Sequence, residues 1–240
     1  MINFFRKKRK LLADENKSLK YARYAIGEIV LVVIGILIAL QINNWNNNRL
    51  EIKEEKNLLA DLQSEFKKND SLLENYDIIR IDKVLKSHKI LINYGLKSRQ
   101  IPKTENIDSI LFRAMAHPTW NPSLMVLDDL KNSGRLSKIK NEKLKQHLYN
   151  WYSFYTDYLE DIKGSEKAHG DLNFYSINKG YYYTSAKNYK LPPEDKKAIY
   201  LNDTIFISFL MNYNRMAKKR KREYLDAQRL IKNIIKETTK

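Results

Sequence analysis

The sequence predicts an all-α protein, with an N-terminal transmembrane helix that continues into a helical stalk and an antiparallel helical bundle. Three observations predict this class. The 240 residues include only 7 glycines and 5 prolines, too few for the many tight turns of a β-sandwich. One stretch near the N-terminus is apolar on every side, unlike the striped surface helix of a soluble domain. Further on, apolar residues recur at spacings of three, four and seven, which indicates amphipathic helices.

The composition excludes several kinds of chemistry. The chain has no cysteine, so disulfides, thiolate catalysis and cysteine-based zinc sites are absent. Its formal net charge is +16 and its pI is about 9.7, a balance that favours anionic partners. The charge is most concentrated in residues 1–24, where eight Lys or Arg residues face two acidic ones.

The apolar segment, residues 25–42, is predicted to be the transmembrane helix. At about 1.5 Å per residue its length is roughly 27 Å, close to the thickness of a bilayer core. Its aliphatic side chains contribute about −4 to −7 kcal/mol to insertion, which exceeds the cost of about +3 kcal/mol for one charge, Glu28. Tyr21 and Tyr24 on one side and Trp45 on the other are predicted membrane-interface anchors.

The flanking charges predict the orientation. Basic residues dominate before the span and are balanced by acidic ones after it, so the N-terminus is expected in the cytoplasm. Residues 1–24 then form a basic amphipathic arm on the cytoplasmic (inner) membrane, and residues 43–240 form a periplasmic helical domain with a stalk over residues 49–93. No small-x-small cleavage motif follows the apolar run, which favours a retained anchor over a signal peptide. Five residues of the arm are predicted to contact anionic lipid: Arg6, Lys7, Lys8, Arg9 and Lys10.

Three small residues are predicted to pack helices together within the membrane. Gly27, Gly35 and Ala39 fall on one helical face, and the last two have the small-xxx-small spacing that lets two spans approach closely. The predicted partners are the lipid bilayer and either another copy of the chain or an unknown membrane protein. The alternative is that these residues have no role in association, because small residues are common in spans.

The N-terminal segment resembles a known set of proteins. The stretch YAIGEIVLVVIGILIALQINNW, residues 24–45, together with the basic start FFRKKRK, is similar to an uncharacterised family of single-span membrane proteins of Bacteroidota. A looser similarity covers residues 124–153. The resemblance implies a cytoplasmic-membrane protein with a helical distal domain, and it implies no activity, substrate or catalytic residue.

The first helices of the domain are predicted from apolar spacing and helix breakers. Residues 49–93 have the amphipathic pattern of one long helix, which Gly95 and Pro102 are expected to end. A second helix is predicted over residues 107–115.

A third helix is predicted to begin at Pro122 with Asn121 as its N-cap, and Trp120 is expected to pack on Met125 as a hydrophobic staple. Gly134 is expected to stop this helix.

Two long helices are predicted in the remainder of the chain. Asn141 is the expected cap of a fourth helix that runs to about Ile162. Residues 181–193 are expected to be irregular, and residues 203–235 carry the pattern of the last helix.

Four groups of residues resemble functional sites, and each also has an ordinary structural explanation. Glu166 and His169 have metal-ligand spacing, but a di-iron bundle needs this motif twice, so a solvated surface pair is favoured. The basic run 218–222 suggests anion binding, yet consecutive residues wrap around a helix, so a solvated helix turn is favoured. The expected exposed charges are Asp128, Asp129, Asp157 and Asp161. The clustered tyrosines, interpreted as core-edge residues rather than a ligand grip, are Tyr149, Tyr152, Tyr155, Tyr158 and Tyr181–Tyr183.

The sequence therefore favours a non-enzymatic protein. No metalloprotease, nucleophile-elbow or phosphate-loop motif occurs, and we expect no cofactor, no metal and no nucleic-acid partner. The predicted function is a membrane-anchored scaffold or accessory subunit. The alternative is a ligand-sensing periplasmic module that signals through a membrane partner.

Overall fold

The structure, a computed structural model, describes residues 18–97, 106–181 and 200–239, with side chains of the first helix from Ala22 onward. Helices contain 89% of the described residues, and no strand occurs among them, which confirms the all-α class. The described α-helices are α1 Ser18–Leu72, α2 Ile78–Lys97, α3 Ile107–Ala114, α4 Met125–Asn132, α5 Glu142–Asn178 and α6 Thr204–Thr238. A π-helical turn, Leu73–Asp77, joins α1 to α2, and a 3-10 helix, Arg135–Lys138, precedes α5.

The chain divides into two compact units, Met1–Leu58 and Leu59–Lys240. In the first, which we call unit 1, the described residues form one helix. Its large aliphatic side chains between residues 26 and 42 are each 46% to 65% exposed. The prediction of a long apolar helix near the N-terminus is therefore confirmed.

The second unit, unit 2, is built around its long helices. Helix α6 is antiparallel to α5, because Asn141 contacts Glu237 at one end and Tyr175 donates a hydrogen bond to Asp203 at the other. The stretch from Leu59 to Lys97 is also antiparallel to α6. The Lys221 ammonium lies 2.6 Å from the Asp82 carboxylate, and Gly95 lies against Ile207.

Local capping signals set several helix ends as predicted. Asn141 accepts hydrogen bonds from the backbone N–H groups of Lys143 and Leu144. Asp203 caps α6 in the same way, a role that was not predicted for it. Gly134 follows α4 with a φ of 71°, in the left-handed region that glycine adopts most easily. Helix α3, predicted over residues 107–115, spans Ile107–Ala114.

The predicted start of the third helix is wrong. Helix α4 begins at Met125, not at Pro122, and its N-cap position is Leu124 rather than Asn121. The cause is a contact with α1: the side-chain amide of Asn69 bonds both the N–H and the C=O of Ser123. These bonds hold residue 123 outside the helix. The predicted staple is also wrong, since Met125 is 80% exposed.

The fourth helix is longer than predicted. It passes Ile162 and continues through Gly164 and Gly170 to Asn178. Four residues of this extension are buried, and their packing outweighs the low helix propensity of the glycines: Ser165, Ala168, Leu172 and Ser176. Residues 182–193 of the predicted irregular segment, like Pro102, lie outside the described residues.

Gly95 was expected to break a helix, but it lies inside α2 at a close approach to other residues. A Cβ at this position would lie 2.6 Å from Ile207 Cδ1 and 2.9 Å from the carbonyl oxygen of Leu201. Because one of these neighbours is backbone, it cannot move aside as a flexible side chain does. Gly95 is required for packing.

Alanine substitutions at two helical glycines test this contact. Gly95→Ala is expected to destabilise the chain by about 1–3 kcal/mol because it overpacks the α2–α6 interface. Gly170→Ala is the matched control, since no described atom lies within 4 Å of its Cβ position, and it is expected to stabilise by up to about 1 kcal/mol. Thermal unfolding of the full chain in detergent measures both. Equal effects of the two substitutions would contradict the packing argument.

Candidate functional sites

The non-helical residues 115–124 form a loop that crosses unit 2 between α3 and α4, and we call it the clamped loop. Backbone carbonyls buried in a fold need hydrogen-bond donors. Here the donors are side chains from all three long helical segments. The bonds, with donor–acceptor distances, are His169 to Met115 at 2.8 Å, Tyr213 to Ala116 at 2.7 Å, Arg220 and Tyr224 to Pro118 at 2.7 and 3.2 Å, Tyr158 to Trp120 at 3.1 Å, and Asn69 to Ser123 at 2.9 Å. His88 bonds the carbonyl of Ala114, the last residue of α3, at 2.7 Å.

His117 of the clamped loop lies in a chain of hydrogen bonds. Arg220 Nη1 lies 3.2 Å from His117 Nε2, and the guanidinium can only donate, so Nε2 accepts. Nδ1 then carries the proton and donates to the Tyr213 hydroxyl 3.2 Å away, which itself donates to Ala116. Burial, followed by the nearby Arg220 charge, lowers the pKa of His117 to about 3. The imidazole is therefore neutral in this arrangement.

Two further histidines lie beside the pair formed by His117 and Tyr213. The His169 ring stacks on it with centroids 4.6 Å apart, and His88 meets Tyr213 edge to face. Burial lowers the pKa of His88 to about 4 and also lowers the pKa of His169. The prediction of a solvated Glu166–His169 pair is wrong for His169, which is half-buried because it donates to the Met115 carbonyl. Among the described residues, no group of three potential ligands is placed to hold a metal ion.

The basic run 218–222 is only in part the solvated helix turn that was expected, since Lys218, Lys219 and Arg222 are exposed but Arg220 is not. Arg220 is 2% exposed and donates to the clamped loop. Lys219 pairs with Asp161 of α5 at 2.6 Å, and Lys221 pairs with Asp82 of α2 at 2.6 Å. Successive residues of a helix point about 100° apart. The neighbouring side chains of Lys219, Arg220 and Lys221 therefore contact three different parts of unit 2, which are α5, the clamped loop and α2.

The carboxyl group of Glu223 lies beside the ion pair of Lys219 and Asp161. Burial, followed by the Asp161 carboxylate, raises the pKa of Glu223 to about 7. The hydrogen bond that Asp161 accepts from Lys219 lowers the pKa of Asp161. Asp161 was expected to be an exposed charge and is instead half-buried in this pair, whereas Asp128, Asp129 and Asp157 are exposed.

The tyrosines of α5 divide between core and surface. Tyr158 is 1% exposed and packs with Trp120, whereas Tyr149 is 50% exposed. The Lys131 ammonium lies 3.8 Å from the ring centre of Tyr152. This distribution fits core-edge residues better than a single ligand-gripping surface.

A cleft of about 400 Å³ opens between α2 and α3. Three cationic side chains, Lys83, Lys86 and Arg113, lie on its walls, together with the hydroxyls of Ser87 and Ser109. Cations and hydroxyl donors together suit an anionic group such as a carboxylate or phosphate.

The apolar helix of unit 1 is the other candidate site. The helical stretch Ala22–Leu96 contains an 18-residue window long and apolar enough to cross a membrane, and no residue of that window is buried in the structure. A core helix of a soluble protein would be mostly buried. Gly27 and Gly35 have no described atom within 4 Å of a Cβ position.

The predicted interface anchors are only partly described. Tyr24 is half-buried, and Trp45 is 64% exposed with the Arg49 guanidinium 5.8 Å from its ring centre. The side chain of Tyr21 and the predicted lipid contacts Arg6–Lys10 lie outside the described part of the chain.

These features define an all-α protein with an apolar N-terminal helix of membrane-spanning length. Residues 28–233 match a family of unknown function, DUF6090, and the chain belongs to this family. The expectation of an uncharacterised family is thereby confirmed. Neither a curated protein nor a solved structure matches the chain.

Sequence reasoning missed the clamped loop. The stretch His117–Pro122 contains two prolines and a tryptophan, which indicates a loop but not its burial. The donors lie far away along the chain, since Arg220 is 102 residues from its acceptor on Pro118. The one local indication was the presence of Arg220 and Tyr224 on the apolar face of the last helix.

A methionine substitution at Arg220 tests the clamp. Arg220→Met removes a buried charge-assisted hydrogen bond and leaves His117 Nε2 without its donor, at an expected cost of about 1.5–3 kcal/mol. The matched control, Lys218→Met, changes an exposed side chain on the same turn and is expected to stay within about 0.5 kcal/mol of wild type. Chemical denaturation of the full chain in detergent measures the difference. Two indistinguishable variants would show that Arg220 does not hold the loop.

Proposed function

We propose that the chain is a single-pass membrane protein of the cytoplasmic membrane, and that its periplasmic domain is a non-enzymatic scaffold or accessory subunit. The observation that carries this proposal is that no residue of the apolar window in unit 1 is buried. Burying one aliphatic side chain is worth about 1.5–3 kcal/mol. A dozen such side chains left in water would therefore be very unfavourable, and a bilayer core removes that cost.

Two features favour a retained anchor over a cleaved signal sequence. Helix α1 continues past the apolar window to Leu72 without a break, and no small-x-small motif follows the window. The arm of residues 1–24 carries the charge excess that keeps an N-terminus in the cytoplasm. We also assign the chain to the Bacteroidota proteins with the YAIGEIVLVVIGILIALQINNW signature, on the basis of residues 24–45.

The chemistry of unit 2 supports a scaffold. Several of its polar side chains are engaged with backbone carbonyls: His169 and Arg220 donate to the clamped loop, and His88 donates to Ala114, the last residue of α3. Groups committed in this way stabilise a shape and are not placed to act on a substrate. We propose that residues 59–240 form an antiparallel helical bundle that presents a rigid surface to a partner.

The alternative function, a ligand-sensing module, is favoured by one observation. The cleft between α2 and α3 places Lys83, Lys86 and Arg113 around one opening. An anionic small molecule is the ligand class that would fit there.

Membrane extraction and cysteine labelling test the anchor and its orientation. Because the chain has no cysteine, Lys8→Cys and Glu160→Cys each introduce a single label site. The chain is expected to stay in the alkaline-washed membrane pellet at full length. A membrane-impermeant maleimide should label position 160 once the outer membrane is opened, and position 8 only after the inner membrane is broken.

Matched pairs of arginine substitutions provide the control for membrane anchorage. Arginine at both Ile34 and Leu37 costs about 2.5–3.5 kcal/mol per residue in a bilayer and should move the chain into the supernatant. Arginine at both Phe174 and Ile177, which are each 70% exposed in unit 2, should leave it in the pellet. Wild-type chain in the supernatant without detergent would refute the anchor, and labelling of position 8 in place of position 160 would reverse the orientation. The scaffold role requires that photo-crosslinking from exposed unit 2 positions in cells repeatedly captures one partner.

A further inference from the structure

We propose that two copies of this chain pair in parallel through one heptad stripe on the described helix of unit 1. The inference rests on the proposed membrane anchor, since it takes the stripe to begin inside the bilayer and to continue into water. The partner that packs against the stripe is a second copy of the chain, and both copies contribute the same residues to the contact.

The stripe follows from spacing. Starting at Tyr24, steps of four and three residues alternate along the helix and stay close to one face, with a drift of about 20° per heptad. A left-handed supercoil removes that drift, so the pattern suits two helices that wind around each other. The positions are Tyr24, Glu28, Leu31, Gly35, Ile38, Ile42, Trp45, Arg49, Ile52 and Lys56.

The part of the stripe beyond the apolar segment has no cover among the described residues. Trp45, which is 64% exposed, lies at the predicted membrane interface, and Ile52, which is 59% exposed, lies beyond the predicted span, where lipid tails no longer solvate it. An isolated helix in water is marginal, and it gains stability when an apolar face is buried. A second helix with the same pattern would bury these two side chains against their own counterparts.

The small residues favour a partner of the same kind. Gly35 lies on the stripe, and Gly27 and Ala39 lie on its two flanks, at the positions that face a neighbouring helix in a heptad. No described atom lies within 4 Å of a Cβ at Gly27 or Gly35. This open space lets two backbones approach closely inside a bilayer, where packing drives association.

Polar positions fix the register of such a pair. In a parallel pair, Glu28 faces Glu28 of the second copy, and two carboxyl groups in a low-dielectric site can share one proton in a hydrogen bond. At the end that lies in water, Lys56 faces Lys56 of the second copy and also lies next to its Glu55, whose opposite charge offsets the repulsion between the two lysines. Shifting either helix by one heptad would separate both contacts.

Disulfide scanning in native membranes tests the pairing directly. Because the chain has no cysteine, single cysteines can be placed one at a time from residue 31 to residue 56 and oxidised in place. A disulfide needs Cβ atoms about 4 Å apart, so dimer yield should peak at stripe positions and fall several-fold at positions between them. Leu50, which is exposed at 47% but lies off the stripe, provides the matched low-yield position for Ile52.

A second substitution tests the close approach. Gly35→Leu should lower the Trp45→Cys dimer yield several-fold, whereas Val33→Leu on the opposite face should leave it unchanged. Uniform yields along the helix, peaks on another face, or crosslinks only to a different protein would each overturn the pairing. The same samples are tested for alkaline extraction, so loss of membrane anchorage is scored separately from loss of pairing.

Discussion

The fold of unit 2 depends on the hydrogen bonding of the clamped loop. A non-helical segment that crosses a helical core exposes carbonyls to a place with little water, where each unpaired group costs about 1–3 kcal/mol. Side chains from residues 59–97, from α5 and from α6 supply the missing donors. The same bonds tie the three long helical segments to one common element, so helix packing and loop conformation determine each other.

Unit 1 and unit 2 satisfy opposite needs. Unit 2 pairs many of its buried polar groups internally, as the neutral His117 between Arg220 and Tyr213 illustrates. Unit 1 presents apolar side chains that none of the described residues covers. The internal hydrogen bonds stabilise the fold of unit 2. The uncovered apolar side chains of unit 1 require an apolar environment. The proposals of membrane anchorage by unit 1 and partner binding by unit 2 rest on this contrast.

Features set by local chemistry could be predicted from the sequence, and features set by distant contacts could not. The caps Asn141 and Asp203 and the stop at Gly134 act within one helical turn, so the sequence alone indicates them. The start of α4 is set by Asn69, 54 residues away, and the burial of Arg220 is set by the loop. The contact of Asn69 leaves no local signature, because a polar residue on a helix has the same spacing whether its partner is water or a carbonyl. The burial of Arg220 is indicated only by its place on the apolar face of the last helix.

The central claim is that lipid, rather than protein, surrounds the apolar helix of unit 1, and the fluorescence of Trp45 tests it most directly. The other two tryptophans, Trp120 and Trp151, are at most 1% exposed inside unit 2. In vesicles whose lipid tails carry bromine atoms, we predict quenching of the wild-type chain that disappears in Trp45→Phe and is strongest for bromines near the headgroups. Equal fluorescence in brominated and ordinary vesicles would contradict the account.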